Sequence, residues 1–284
     1  MQTADQIAEL RSAVADWRKE GESVALVPTM GNLHAGHMSL VKRARQLADH
    51  TIVSIFVNPM QFVRDEDFET YPRTPDEDLL KLSEAGVDLV FLPKAEELFR
   101  DATARTTRVE VPALDGILCG KFRPGHFTGV ATIVSKLFNL AQPDIAVFGD
   151  KDYQQLLVVR RLIDDLCLPV DVVAVPTVRE KDGLALSSRN SYLTLEERRK
   201  APLLFKTLKK AAEEVKRAGA DLAAIEAQGM QALAAEGFRP EYFEVRRGED
   251  LMPPAAADTH LVVLAAAWLG RTRLIDHVEV RHGR

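Results

Sequence analysis

SVALVPTMGNLHAGHMSLVKRA, residues 23 to 44, is the stretch that decides the fold. SVALVP (23 to 28) is apolar without alternation, which is the pattern of a parallel strand buried on both faces. A turn with Gly31 and Gly36 follows, and then Leu40, Val41, Ala44, Leu47 and Ala48 fall on one helical stripe. Strand, glycine-bearing turn and helix start make the opening of a βαβ unit.

The same character recurs outward along the chain in TIVSIFVN (51 to 58), VDLVFLP (87 to 93), DIAVFG (144 to 149) and VDVVAVPTV (170 to 178). Amphipathic segments separate these runs. One starts at Leu79, Leu80 and Leu82 behind Thr74, Pro75 and Glu77, which have capping-box spacing. The order predicts an open parallel sheet with helices on both faces and a ligand site at the carboxyl ends of the strands. After residue 178 the character changes. Helical patterns at Leu195 to Ala218 and Asp221 to Glu236 precede strands at 241 to 247, 260 to 270 and 270 to 280, with a turn centred on Gly270. We read an α/β domain over 1–177 and a smaller α+β domain with an antiparallel sheet over 178–284, the change falling near Pro176.

Composition sets limits. The 284 residues are 46% hydrophobic and 28% charged, which excludes disordered and low-complexity classes. Thirty-seven Lys and Arg against 42 Asp and Glu leave a net charge of -5, so there is no global attraction for nucleic acid. The longest apolar run, Leu261 to Gly270, is about half of the roughly 20 residues that a spanning helix needs, so no membrane span is expected. The first residues, MQTADQIAEL, lack the apolar stretch of a signal peptide, and a cytoplasmic protein is expected. Cys119 and Cys167 have neither disulfide density nor zinc-site spacing and read as reduced and structural.

The chemistry concentrates where strand 23 to 28 enters its helix. Gly31 and Gly36 have P-loop spacing, but His37 and Met38 stand where that motif has Lys and Ser or Thr. His34 and His37, three residues apart at a helix start, offer two imidazoles beside backbone N–H groups that favour an anion. Such a set suits a phosphate that gains charge during reaction; a pair of structural turn histidines is the other reading. Lys151 follows the strand DIAVFG, and Ser187, Ser188 and Arg189 follow VDVVAVPTV, so all can serve the same phosphates. Read singly, Lys151 could be a solvated turn lysine and the serines helix caps. Asp76, Glu77 and Asp78 could hold Mg²⁺, although Thr74-Pro75-Asp76-Glu77 assigns Glu77 to capping first. His126 in RPGHFTG reads as part of a mobile loop over the site or as an ordinary surface-loop histidine.

PTMGNLHAGHMSLV resembles the HxGH signature of the nucleotidyltransferase superfamily, related to the class I aminoacyl-tRNA synthetases. Within it the chain is similar to the pantothenate synthetases, on the strength of SIFVNPMQF (54 to 62), YPRTPDEDL (71 to 79), RPGHFTGVATIVSKLFN (123 to 139), FGDKDYQQL (148 to 156) and VREKDGLALSSRNSYL (178 to 193). The resemblance covers about residues 24 to 193. It implies a Rossmann-like catalytic domain, a smaller domain closing over the active site, and a reaction in which pantoate and ATP give pantoyl adenylate and pyrophosphate before β-alanine displaces AMP. It implies catalytic roles for His34, His37, Lys151, Ser187, Ser188 and Arg189, with SSRN in the place of the KMSKS loop of the synthetase relatives. It also implies ATP contacts at Met30, His37, Asn58, Gly149, Lys151, Asp152, Val178 and Leu186 to Arg189, and pantoate contacts at Met30, Gln61, Phe62 and Gln155. Leu186 stands where Met is expected, a near volume-conserving exchange. ATP as substrate, Mg²⁺ and a homodimer complete the expectation, with no nucleic-acid or membrane partner.

Three rivals make other demands. A transferase that keeps AMP or CMP in its product would need a basic pocket for a phosphorylated acceptor, where this chain has the amides of NPMQF and DYQQ. A tRNA-charging enzyme would need a basic stripe in its last hundred or so residues. A nucleotide-sensing module would have no use for His34, His37, Lys151 and Arg189 together.

Overall fold

The computed structural model describes residues 1–64, 66–99, 105–217 and 219–281. It contains β1 (Gln2–Ala4), α1 (Ile7–Lys19), β2 (Val24–Thr29), α2 (Ala35–Ala44), β3 (His50–Ile55), α3 (Pro75–Glu84), β4 (Leu89–Phe91), α4 (Ala95–Leu98), α5 (Pro112–Asp115), α6 (Leu118–Phe122) and α7 (His126–Ala141). Then come β5 (Ile145–Gly149), α8 (Tyr153–Asp165), β6 (Asp171–Val175), α9 (Leu195–Lys200), α10 (Leu203–Val215), α11 (Leu222–Ala235), β7 (Arg239–Arg247), β8 (His260–Leu269) and β9 (Thr272–Arg281). The chain divides into two compact units, one of Met1–Asp150 with Val158–Pro176 and one of Lys151–Leu157 with Thr177–Arg284.

The first unit is a six-stranded parallel sheet in the order β1-β4-β3-β2-β5-β6. β2 is buried through its first four residues, as the unbroken apolarity of 23 to 28 requires. The strand order reverses between β2 and β5, and their carboxyl ends open the crevice in which such sheets bind ligands. β1 was not foreseen: its three residues carry an exposed-exposed-buried pattern too short to read as a strand, and its pairing with β4 defines it. α7 is buried along nearly its whole length, an all-round apolar helix of the interior. His126 therefore lies in no mobile loop; it is the first residue of α7 and only 7% exposed.

The second unit is an antiparallel sheet β7-β8-β9 packed under α10 and α11. Leu204, Leu208, Ile225, Leu233, Phe243 and Val263 are among its core. A two-residue turn joins β8 to β9, with Gly270 at φ 54, the left-handed backbone that such turns demand. Leu261 to Leu269, the long apolar run, is strand and not helix, and among the described residues no helix is long and apolar enough to cross a membrane. The helix expected over 195 to 218 divides: α9 ends before Pro202, which cannot continue the hydrogen-bond ladder and instead starts α10, and Ala218 lies outside the described residues. Cys119 is buried, but Cys167 is exposed at φ 51, so a structural role holds only for the first.

Candidate functional site

In the first unit the chain leaves β2 through Met30, Gly31 and Asn32, the last two at φ 82 and φ 50. It then enters α2 with His34 as the capping residue. His34 Nδ1 accepts from Gly36 N–H at 3.1 Å, and His37 Nδ1 accepts from His34 N–H at 3.3 Å, closing a reciprocal capping box. A ring nitrogen that accepts carries no hydrogen, so each neutral ring bears its hydrogen on Nε2. The half-buried rings lie 4.1 Å apart between centroids, tilted by 34°. Both histidines thus serve the helix start and keep a donor nitrogen directed away from the backbone they cap.

NPMQF forms a 3-10 turn, Pro59–Gln61, capped by Asn58. Asn58 is 1% exposed; its Oδ1 accepts from Met60 N–H at 3.2 Å, and its Nδ2 donates to Gln61 Oε1 at 3.1 Å and Gly129 O at 3.0 Å. With both ends engaged internally, this side chain shapes the turn. Gln61 Nε2 donates to Met30 Sδ at 3.0 Å, so Met30 and Gln61, expected together, are together. The Phe62 ring meets Phe68 and Tyr71 edge-on at 5.3 and 5.8 Å.

Arg123 and Glu66, not singled out from the sequence, hold this turn from behind together with His126. Arg123 and Glu66, each 12% exposed, pair at 2.5 and 2.8 Å. Arg123 NH2 and His126 Nδ1 both donate to Gln61 O, at 3.2 and 2.7 Å, and His126 Nε2 accepts from Arg123 NH1 at 3.0 Å. RPGHFTG is where Arg123 and His126 could have been found, but only contacts spanning 57 to 65 residues give them and Glu66 a purpose.

The acidic cluster behaves unlike its expectation. Thr74 makes no side-chain cap, and Glu77 lies 3.8 Å from Lys81 instead of closing a capping box. Asp78, 1% exposed, accepts from Asn32 N–H at 2.8 Å, Leu33 N–H at 2.7 Å and Thr74 Oγ1 at 3.2 Å, while Asp76 and Glu77 are exposed. The ligand atoms of the three do not gather into one group. Residues 76 to 78 therefore do not fit a cation, because the one buried carboxylate already has both oxygens occupied by donors.

Gly149 ends β5, and α2 passes over it, Leu40 Cδ2 standing 3.9 Å from where a Cβ would be.

In the second unit, Lys151 and Asp152 lie in the 3-10 turn Asp150–Asp152 before α8, which carries Gln155. Tyr153 anchors this corner, its hydroxyl donating to Gly248 O at 2.8 Å and its ring 4.8 Å from that of His277. Residues 178 to 186 fold back on themselves, with Arg179 bridging Ala185 and Leu186 N–H donating to Val178 O at 2.9 Å. Arg179 makes two bonds to Asp276, at 2.6 and 2.9 Å, with its guanidinium 3.5 Å over Phe205. At the tip the Arg198 guanidinium holds the Asp182 carboxyl below its ordinary range, helped by the Leu184 N–H and against partial burial. This fold-back delivers Ser187, which caps the 3-10 turn Ser188–Tyr192 by accepting from Arg189 N–H at 3.3 Å; Ser188 is buried. Lys151, Ser187 and Asn190 line one recess of this unit.

A model of the family described as Pantoate-beta-alanine ligase matches residues 2–279. The chain belongs to that family. Pantothenate synthetases from Alkalilimnicola ehrlichii and Nitrosococcus oceani are each 54% identical to it, over 100% and 99% of this chain and 99% and 98% of theirs. The crystal structure of the Thermus thermophilus pantothenate synthetase superposes with a TM-score of 0.91 at 47% identity, covering 99% of this chain and 100% of that one. A Francisella tularensis pantoate-beta-alanine ligase, complexed with Beta-gamma ATP and β-alanine, gives 0.81 at 32% identity over 98% and 97%. As a member of the pantoate-beta-alanine ligase family, the chain is a ligase of pantothenate synthesis with the expected parallel-sheet unit and small antiparallel unit.

Proposed function

We propose that the protein joins pantoate to β-alanine through an enzyme-bound pantoyl adenylate. A pantoate carboxylate oxygen attacks the α-phosphorus of ATP, and the bond from that phosphorus to the bridging oxygen of pyrophosphate breaks. The β-alanine amine then attacks the acyl carbon; AMP leaves with the former carboxylate oxygen, and the nitrogen loses a proton as the amide forms. The substrate supplies the nucleophile, so the protein's task is positioning and charge stabilisation.

The observation that carries this reading is the reciprocal capping of His34 and His37, which fixes hydrogen on Nε2 of both rings at the start of α2, beside the strand-order reversal. Donors held there need no rearrangement as charge builds on the α-phosphate. In this reading Lys151, Ser187, Ser188 and Arg189 take the other phosphates of the same nucleotide. Gln61 and Gln155 read the hydroxyls and carboxylate of pantoate beside Met30 and Phe62. Asp152, Gly149, Val178 and Leu186 line the nucleotide's path, and Asn58 acts through Gln61. The Francisella relative's complex supports ATP and β-alanine as ligands. Mg²⁺ accompanies the nucleotide, and no side chain is assigned to it. A cytoplasmic homodimer belongs to the same proposal, and light scattering tests the dimer.

Incubation with ATP and labelled pantoate, without amine, should release pyrophosphate and leave AMP-linked pantoate on the protein; β-alanine should then release AMP. A panel of other carboxylic acids should give little pyrophosphate. Acid label bound covalently to denatured protein, or pyrophosphate release independent of pantoate, would overturn the reading.

A further inference from the structure

Gly31 and Asn32 carry consecutive left-handed backbones between β2 and α2. A β-carbon at Gly31 would lie 3.0 Å from Ile55 Cγ2 and 3.1 Å from Asp78 Oδ2, so this turn is pressed against α3. Glycine adopts that conformation at no cost and asparagine more readily than most residues, yet a non-glycine residue stays there only where the surroundings over-determine it. α3 supplies that determination from two sides. Asp78 takes the N–H groups of Asn32 and Leu33, and Lys81 Nζ donates to Leu33 O at 2.9 Å. Leu33 is 2% exposed, and the next residue is His34.

We infer that Asp78 and Lys81 are positioning residues of the adenylation step, a clamp that holds the turn bearing His34 and His37, and that Asp78 is not a magnesium ligand. The inference rests on the reading of the two histidines given above. Removing the carboxylate takes its acceptor from the buried Leu33 N–H and the half-buried Asn32 N–H, and the turn relaxes from its left-handed backbone. His34 caps α2 from the residue directly after the clamp, so the relaxation shifts both imidazoles relative to the phosphate.

Asp78→Asn keeps the shape but offers one acceptor oxygen and turns an amide NH₂ toward the second N–H. Its kcat for pyrophosphate release should fall roughly ten- to a hundredfold, the scale of an ångström-sized misplacement, with the KM for ATP changed less than kcat. Hydrogen exchange at Asn32 and Leu33 should accelerate by about tenfold or more as their acceptor is lost. The Mg²⁺ concentration for half-maximal rate should stay at the wild-type value. Lys81→Met should change exchange and kcat in the same direction, although an ammonium has no capacity to bind a cation; being half-exposed, it also serves if Asp78→Asn does not fold. A raised Mg²⁺ requirement in Asp78→Asn with recovery at excess Mg²⁺, or unchanged exchange at Asn32 and Leu33 in either variant, would overturn the inference. If the wild-type protein releases no pyrophosphate with pantoate, the proposed reaction fails, and exchange at Asn32 and Leu33 still decides the clamp.

Discussion

Gly129 and Met60 meet backbone to backbone: a β-carbon on Gly129 would lie 2.2 Å from Met60 O and 2.4 Å from its carbonyl carbon. Neither atom is the end of a flexible side chain, so α7 approaches the turn that presents Gln61 as closely as its chain allows. Gly129 O also accepts from Asn58 Nδ2, which ties the two segments together at the point of approach.

Gly129→Ala should push the turn away from α7. Inserting one methyl into a packed contact costs typically about 1 to 3 kcal/mol in stability. Because Gln61 moves with the turn, the KM for pantoate should rise more than that for ATP. Steady-state kinetics with each substrate varied in turn checks this, and an unchanged pantoate KM would sink it.

His34→Asn separates capping from catalysis. Asparagine is among the best helix-capping residues and can accept from Gly36 N–H as Nδ1 does, but it has nothing in the place of Nε2. Thermal stability should stay near wild type while adenylation slows by roughly 10²- to 10³-fold, the cost of removing one donor aimed at developing charge. His34→Ala should lose the same rate and also about 1 kcal/mol of stability with the cap. Single-turnover pyrophosphate release and urea denaturation together distinguish the two.

Arg179→Met should be severe. Asp276 is 3% exposed at its side chain, and Arg179 gives it two bonds. Deleting one partner of a buried ion pair costs about 3 to 5 kcal/mol because the remaining charge is left uncompensated. Denaturant titration should show that loss, and a weaker ATP affinity should accompany it because the fold-back at 178 to 186 leads into Ser187. Loss below about 1 kcal/mol would place the pair with ordinary surface bridges.

Burial pushes the Glu226 carboxyl above its ordinary value; Glu244 adds to this, while the Val245 N–H and Arg246 oppose it. A folded state that holds its proton more tightly than the unfolded chain loses stability as pH rises from the unfolded value of about 4.3 through the folded one. Glutamine keeps an acceptor for Val245 N–H, now bonded at 2.7 Å, and has no charge to desolvate. Glu226→Gln should therefore melt above wild type at pH 7, and the gap should shrink toward pH 4. A gap independent of pH would refute the assignment.

Much of the architecture is local and was legible in the chain. Unbroken apolar runs marked β2, β3, β4, β5 and β6, and the change after residue 178 marked the antiparallel sheet, because strand burial writes itself into consecutive side chains. His34 and His37 were legible as a pair since helix starts bring residues three apart together. Other features depend on partners distant in sequence. Thr74-Pro75-Asp76-Glu77 spelled a capping box, yet Asp78 is the residue put to use, on amides 45 and 46 positions earlier. Arg123, Glu66 and His126 acquire meaning only where α7 meets the Gln61 turn, and β1 exists only because β4 pairs with it. The sequence by itself marked most of the strands and helices and the pair of histidines at the start of α2. Tertiary structure alone decided which polar side chains stay available to a ligand and which are consumed, because a buried N–H or carbonyl takes whichever partner packing brings to it.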